Sequence, residues 1–190
     1  MNIFVLDSDP VLAAQYQCNK HVVKMIVESA QMLSTTHRLL DGLCIPQSVT
    51  SARTGKIRLK KTWQLKDQEA NAILYNVTHP GHPSTVWTME SLANYTWHYQ
   101  HFCALCDEYT HRYGKTHKTD AKLRPVLCWA PHNIPNIPQT QFRLAMESQP
   151  QCKNLADPVA SYRAFYRTKQ SRFKMVWSKR TTPDWFTGNT

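Results

Sequence analysis

The apolar positions of the chain recur at helical spacing over most of its length. From Val11 to about Leu40 they return every three or four residues and cover one broad arc, with polar residues on the opposite side. Asp9 can cap the free amides at the start of this stretch, and Pro10 suits the first helical position. The pattern therefore predicts a first helix that ends at the sequence LLDGL.

The same reasoning predicts three further helices. They cover residues 67 to 77, residues 84 to 113 with a glycine stop in RYGK, and a last stretch that opens at Asp157 and Pro158. No sustained alternation of the kind typical of strands is found. Residues 42 to 66 are expected to form an exposed loop or basic arm, and the proline-rich residues 119 to 156 a long irregular loop. The predicted fold is all-α, a compact single helical domain over residues 1–190.

A row of titratable residues interrupts the apolar character of the first helix. His21, Lys24 and Glu28 are spaced three and four apart, so they lie in one line along the helix. Apolar residues border this row closely, which favours the wall of a cleft over an open surface. There Glu28 would be partly desolvated, and Lys24 would hold it ionised or share its proton. The alternative is an ordinary surface pair of little energetic weight.

Charge narrows the range of partners. The 190 residues contain 23 Lys and Arg against 13 Asp and Glu, a formal net charge of +10. Such an excess attracts polyanions, above all nucleic acid, although a basic protein without a specific partner is the alternative. The start of the chain lacks a basic export signal, no apolar run is long enough to span a membrane, and the six cysteines suit reduced thiols. A cytoplasmic monomer is expected.

Candidate nucleic-acid contacts fall in two basic segments and on the third helix. Cations can hold phosphates, and aromatic rings interleaved with them can stack on exposed bases. In residues 157–190 the alternative is that the rings pack into the core and only the cations face water. The candidates are Arg53, Lys56, Arg58, Lys60 and Lys61 in the basic arm, Arg112 on the third helix, and Tyr162, Arg163, Tyr166, Arg167, Lys169 and Arg172 near the C-terminus.

The sequence gives little indication of a metal site or a cofactor site. His79 and His82 share a turn, and His98 and His101 lie one helical turn apart, but neither pair has an obvious third ligand. No phosphate-binding glycine motif or dinucleotide fingerprint is present. Neither a metal nor a cofactor is expected.

The order of these motifs resembles a known family. KHVVKMIVE in the first helix, then GHPSTVW, a long helix ending EYTHRYGKTHK, and a C-terminal YRAFYRTK are similar to the pyrimidine-dimer DNA glycosylase/AP lyase family of phages and bacteria, the endonuclease V type. The resemblance implies a small all-α fold whose first helix carries a His and, seven positions later, the catalytic Glu. His21 and Glu28 stand in that relation. It also implies a basic aromatic C-terminal patch on a damaged duplex.

The resemblance implies a mechanism as well. In that family the α-amine of the chain attacks the deoxyribose carbon while the glutamate assists, and strand cleavage follows. Because Asn2 disfavours removal of the initiator methionine, the amine here would be that of Met1. An activated water aided by Glu28, or Lys24 acting as the amine, would serve instead. The target nucleotide would be reached by extruding it from a bent duplex.

Two other functions remain open from the sequence. One is a different enzyme on the same scaffold that acts on modified pyrimidines of phage DNA or on nucleotides. The other is a non-catalytic protein that binds DNA or RNA. We expect a phage-encoded DNA-binding enzyme, acting in the host cytoplasm, with Glu28 as its leading catalytic residue.

Overall fold

The computed structural model describes residues 1–50 and 53–187, without the side chains of Arg58 and Lys60. This part of the chain is about 52% helical, with eight α-helices and one two-stranded sheet. The elements are α1 (Pro10–Gln15), α2 (Asn19–Asp41), β1 (Leu43–Thr50), β2 (Ile57–Gln64), α3 (Gln68–Ile73), α4 (Pro83–Glu90), α5 (Leu92–Tyr113), α6 (Lys118–Leu127), α7 (Pro158–Arg167) and α8 (Asp184–Thr187). Short 3₁₀ turns cover Pro150–Cys152 and Thr168–Ser171.

The predicted all-α class is correct for most of the chain but wrong for the basic arm. β1 and β2 form an antiparallel hairpin whose register runs from Leu43 opposite Gln64 to Thr50 opposite Ile57. The structure buries none of the hairpin side chains that it describes. A strand with no buried face needs no apolar alternation, so the periodicity that reveals most strands is weak here.

The predicted first helix is divided in two. α1 ends at Gln15 and α2 begins at Asn19, because distant residues take the hydrogen bonds of the segment between them. The Tyr16 carbonyl accepts from the Trp177 indole at 2.8 Å, and the Cys18 amide donates to the Tyr166 hydroxyl at 2.9 Å. The Asp9 cap is confirmed, since its carboxylate accepts from two amides in the first turn of α1.

The third predicted helix is also interrupted. Ser91 is extended between α4 and α5, and its hydroxyl caps α5 by accepting from the Asn94 amide at 3.0 Å. The glycine stop is confirmed, because Gly114 closes α5 in the left-handed region at φ 68°. The predicted start of the last helix is confirmed too, since Asp157 caps α7 through the Ala160 amide at 2.9 Å.

The loop predicted for residues 119 to 156 contains one helix. α6 is capped by the His117 ring, which accepts from the Thr119 amide at 3.2 Å. An ion pair of 2.6 Å between Asp120 and Arg124, one helical turn apart, supports it. The proline at position 125 lies in its last turn. Residues 128–149 are irregular, as expected.

The core forms where α2 and α5 pack together, and the start of the chain runs into it. Ile3, Phe4, Val5 and Leu6 are all buried, although they belong to no helix or strand. α7 covers this N-terminal segment, and the ring centroids of Phe4 and Tyr166 lie 5.0 Å apart. None of the helices in the described residues has both the length and the apolar character to cross a membrane.

Buried histidines make the stability of the fold depend on pH. Burial is the main cause that lowers the pKa of His21, His37 and His101 to about 4. The unfolded chain therefore binds more protons than the folded chain between about pH 6.5 and pH 4. Stability is fully present above this window and decreases as pH falls through it.

We expect the free energy of unfolding to fall between pH 7 and pH 5, and to fall less in His37→Gln. The pKa shift of His37 corresponds to about 2 kcal/mol over this interval, and glutamine takes up no proton. Urea unfolding at the two pH values measures the difference. An equal fall in both proteins would contradict the assignment.

Candidate active site

Glu28 lies on α2 with its side chain only 12% exposed, and the first two residues of the chain meet it there. Its Oε2 accepts from the Asn2 amide at 3.0 Å and lies 3.5 Å from the Met1 α-amine. Its Oε1 lies 3.1 Å from the Lys24 Nζ, which is on the solvent side. The carboxylate thus touches two amines and one backbone amide, and it does not stand in bulk water.

The N-terminal segment is pinned on both sides of this contact. The Asn2 side-chain amide donates to the Ala145 carbonyl at 2.8 Å, and the Ile3 amide donates to the Ser84 hydroxyl at 3.3 Å. The buried residues that follow fix its direction. Met1 and Asn2 are therefore held between α2, the start of α4 and the loop before α7.

His82 is a member of the site that the sequence did not single out as one. Its Nδ1 accepts from the Ser84 amide at 3.2 Å and so caps α4. That bond leaves the proton of the neutral ring on Nε2, and the backbone of Met1 lies near enough to the ring to act in the direction of raising its pKa. The pKa of His82 is lowered, mainly by burial and then by the nearby amino terminus.

Asn2 contributes a side-chain oxygen near Glu28 that is unpaired within the described part of the chain. Its side chain is buried, and its Oδ1 has no hydrogen-bond partner among the described residues. The sequence signals for both residues are slight. His82 precedes a proline at the first position of a helix, and Asn2 gives no signal at all before the fold is known.

His21 lies beside the site as a neutral ring. It stacks on Phe4 with centroids 4.8 Å apart, and its Nδ1 lies 2.7 Å from the Tyr166 hydroxyl. Its pKa of about 4 results from burial and then from the charges of Lys24, Lys169 and Lys20. A ring that is not in the imidazolium form at neutral pH suits support of the N-terminal segment better than acid catalysis.

Three lysines lie near His21, and one of them lies near Arg172. We call these four cations the cationic rim: Lys20, Lys24, Lys169 and Arg172. Lys20 lies over the Phe173 ring at 4.3 Å, and Lys169 lies over the Phe165 ring at 3.5 Å. The pKa of Lys169 is lowered by burial and then by the charge of Arg172, with a smaller contribution from Lys24. The rim therefore joins α2 to the segment after α7.

Three of the predicted nucleic-acid contacts, Tyr162, Tyr166 and Arg112, have buried side chains in the structure. The Tyr162 hydroxyl donates to the Arg143 carbonyl at 2.8 Å, and the Tyr166 hydroxyl binds Cys18 and His21. Both rings belong to the hydrophobic core. Arg112 is 5% exposed and bonds to the buried Glu108 at 2.7 Å, so it is not available to a phosphate.

The remaining candidates divide between the tail and the hairpin. Arg163 donates to the Leu6 carbonyl and pairs with Asp7 at 3.0 Å, and Arg167 donates to the Trp185 carbonyl, so both are engaged inside the fold. Arg53, Lys56 and Lys61 are exposed on the hairpin. The predicted contacts of Arg58 and Lys60 concern side chains outside the described part of the chain.

The structure offers no obvious metal site in the part it describes. No group of three His, Cys, Asp or Glu side chains there could hold an ion. His98 is fully buried beside the Thr88 hydroxyl at 2.8 Å, and His101 is bonded to Gln17 and to the Pro10 carbonyl.

Comparison with known proteins gives one match. A family model described as pyrimidine dimer DNA glycosylase matches residues 1–121. No curated protein and no solved structure matches the chain. The matched segment includes Met1, Glu28 and His82, whereas Lys169 and Arg172 of the cationic rim lie beyond it.

The burial of Arg112 predicts a structural role. We expect Arg112→Leu to lower the free energy of unfolding by about 2 kcal/mol, because Glu108 loses a charged hydrogen bond in a buried place. The matched control is Arg180→Leu, which removes the more exposed partner of the same carboxylate and should cost less. Urea unfolding measures both. A destabilisation by Arg180→Leu equal to or larger than that by Arg112→Leu would contradict the assignment.

Proposed function

The chain belongs to the pyrimidine dimer DNA glycosylase family, and on that premise we propose that it releases a damaged or modified pyrimidine from DNA by nucleophilic attack of its α-amine, with Glu28 as proton acceptor. The contact that carries this proposal is that of Glu28 with the start of the chain. The Met1 amine lies 3.5 Å and the Asn2 nitrogen 3.0 Å from the same carboxylate oxygen.

The chemistry requires a neutral amine next to a group that can take its proton. An α-amine has a reference pKa near 8, so a useful fraction is neutral at pH 7. Its nitrogen forms a bond to the sugar C1′, and the bond from C1′ to the base breaks with its electron pair going to the base. The proton lost by the amine passes to Glu28. The C1′–O4′ bond then breaks as the C1′=N bond forms, and O4′ takes the proton held by Glu28. Loss of a C2′ proton from the resulting protonated Schiff base permits elimination of the 3′ phosphate.

The immediate surroundings suit this step. The proximity of His82 to the Met1 backbone and the bond from Asn2 to Ala145 restrict where the amine can lie. Positioning of this kind contributes a large share of catalytic rate enhancements. His82 acts here as a positioning residue, because its ring contacts the residue that carries the amine and not the sugar.

The cationic rim suits a DNA substrate, which the family implies. Extrusion of a nucleotide costs a few kcal/mol, and contacts between cations and phosphates offset this cost. Lys20, Lys24 and Arg172 are exposed, so their charges can reach a backbone. Lys24 is also a second amine within 3.1 Å of Glu28, and a test must distinguish it from the amino terminus.

We expect borohydride to trap a covalent adduct between this protein and a duplex that carries a cyclobutane dimer, an abasic site or a hypermodified pyrimidine. Glu28→Gln should form the adduct at least about 100-fold more slowly, because loss of a general base costs that much, while its affinity for the duplex is kept. Mass spectrometry of the adduct should locate it at the amino terminus, and Lys24→Gln serves as the control. An adduct on Lys24, or no adduct and no base release on any substrate, would refute the mechanism.

His82 can be tested without loss of its cap. Asparagine is a good N-cap but has a shorter side chain without the imidazole ring, so His82→Asn should keep the free energy of unfolding and lower kcat for adduct formation about tenfold, with KM unchanged. His82→Ala removes cap and contact together and should also destabilise the fold by about 1 kcal/mol. Unchanged kcat in His82→Asn would show that the ring has no part in positioning.

A further inference from the structure

The hairpin is a ribbon without a core. The exposed fractions of Leu43, Ile57 and Leu59 are 70%, 72% and 76%, and the hairpin side chains that the structure describes are at least partly exposed. An isolated two-stranded hairpin is marginally stable in water. Large apolar side chains left in solvent on such an element indicate a surface that a partner covers.

The base of the ribbon is rigid. The Arg38 guanidinium donates to the carbonyls of Trp63, Asn71, Leu74 and Tyr75 and to the Asn71 side chain. At Gly42 a Cβ would come within 2.4 Å of the Arg38 carbonyl oxygen, so the chain leaves α2 by a path that only glycine permits. The ribbon therefore projects in a fixed direction.

Its charge is of one sign. Residues 42–66 contain six Lys and Arg and no Asp or Glu. Arg53, Lys56 and Lys61 form no ion pair with any residue that the structure describes. A single-sign charge without internal compensation on an uncovered ribbon matches a polyanion.

The dimensions of the hairpin favour duplex DNA over other polyanions. Eight paired positions span about 26 Å, and a two-stranded ribbon fits the major groove of B-form DNA, which is about 12 Å wide. The major groove of duplex RNA is too deep and narrow for side chains to read. Exposed Ile57 and Leu59 can contact thymine methyl groups there, whereas free phosphate offers them nothing.

We propose that the β1–β2 hairpin lies in the major groove of duplex DNA as a second contact, separate from the site at Glu28. This inference rests on DNA being the substrate proposed above. It assigns to the hairpin the binding of undamaged duplex beside the target nucleotide. The chemistry remains with the amine and the carboxylate.

The experiment compares a double variant of the full chain, which carries both Lys56→Gln and Lys61→Gln, with the unaltered protein. The probe is a fluorescent undamaged 20-base-pair duplex, and anisotropy gives its affinity over a series of salt concentrations. Each lost phosphate contact lowers the slope of log affinity against log salt by about 0.9, so the pair should lower it by about 1.8. The matched control is Lys115→Gln with Lys118→Gln, which removes the same charge from exposed positions outside the hairpin and should keep the slope.

Two further measurements test whether the hairpin occupies the major groove and whether it prefers DNA to RNA. They are methylation protection of the duplex and the salt dependence of binding to duplex RNA. Guanine N7 faces the major groove, so the unaltered protein should protect it from methylation by dimethyl sulfate and the hairpin variant should not. An unchanged slope, a slope that falls as much in the control, or no protection of N7 would overturn the proposal. An equal loss of slope on duplex RNA would overturn it too. Hairpin-dependent binding without base release would refute only the proposed catalysis, and base release with an unaffected slope would refute only the hairpin contact.

Discussion

The carboxylate of Glu28 must be compensated where it lies, and the start of the chain compensates it. Removing an ionised group from water is costly unless hydrogen bonds and opposite charge replace the lost solvation. Here the replacements are an amide and an amine of the first two residues. These groups are in reach because four apolar residues that follow them are buried between helices. Hydrophobic burial of an irregular segment thus sets the distance on which the proposed chemistry depends.

A second charged side chain is compensated by the main chain near the C-terminal end of α2. Arg38 is 4% exposed and has no carboxylate partner among the residues that the structure describes, and burial lowers its pKa. Four backbone carbonyls and one side-chain amide satisfy its guanidinium instead. One helix therefore carries two nearly buried charges, and the main chain of distant segments solvates both. The first organises the candidate active site, and the second fixes the root of the hairpin.

Local signals in the sequence were enough for the features that depend on neighbouring residues. The caps at Asp9 and Asp157, the stop at Gly114 and the row that brings Lys24 to Glu28 all follow from spacing along one element. The family resemblance was likewise confirmed, over residues 1–121.

Features that depend on distant residues could not be predicted in this way. Helical spacing shows that α7 is amphipathic but not which partner its aromatic face meets, so the sequence leaves open whether Tyr162 and Tyr166 meet a ligand or the core. The break at Cys18 depends on a hydroxyl 148 residues away in the chain. The side chains described on the hairpin form no buried face, which is what gives strands their alternation. His82 joined the site only through contacts that the fold creates.

The position of α7 also limits what can be cut from this protein. The family match ends at residue 121, but Phe4, His21 and Cys18 on the matched side all contact Tyr166 beyond it. A fragment that stops at the end of the match would expose the aromatic rings that hold the amino terminus in place. The matched segment is therefore a unit of sequence similarity but not a unit of folding. Protease cleavage in the irregular stretch after α6 would weaken the contacts that order both the N-terminal segment and α7.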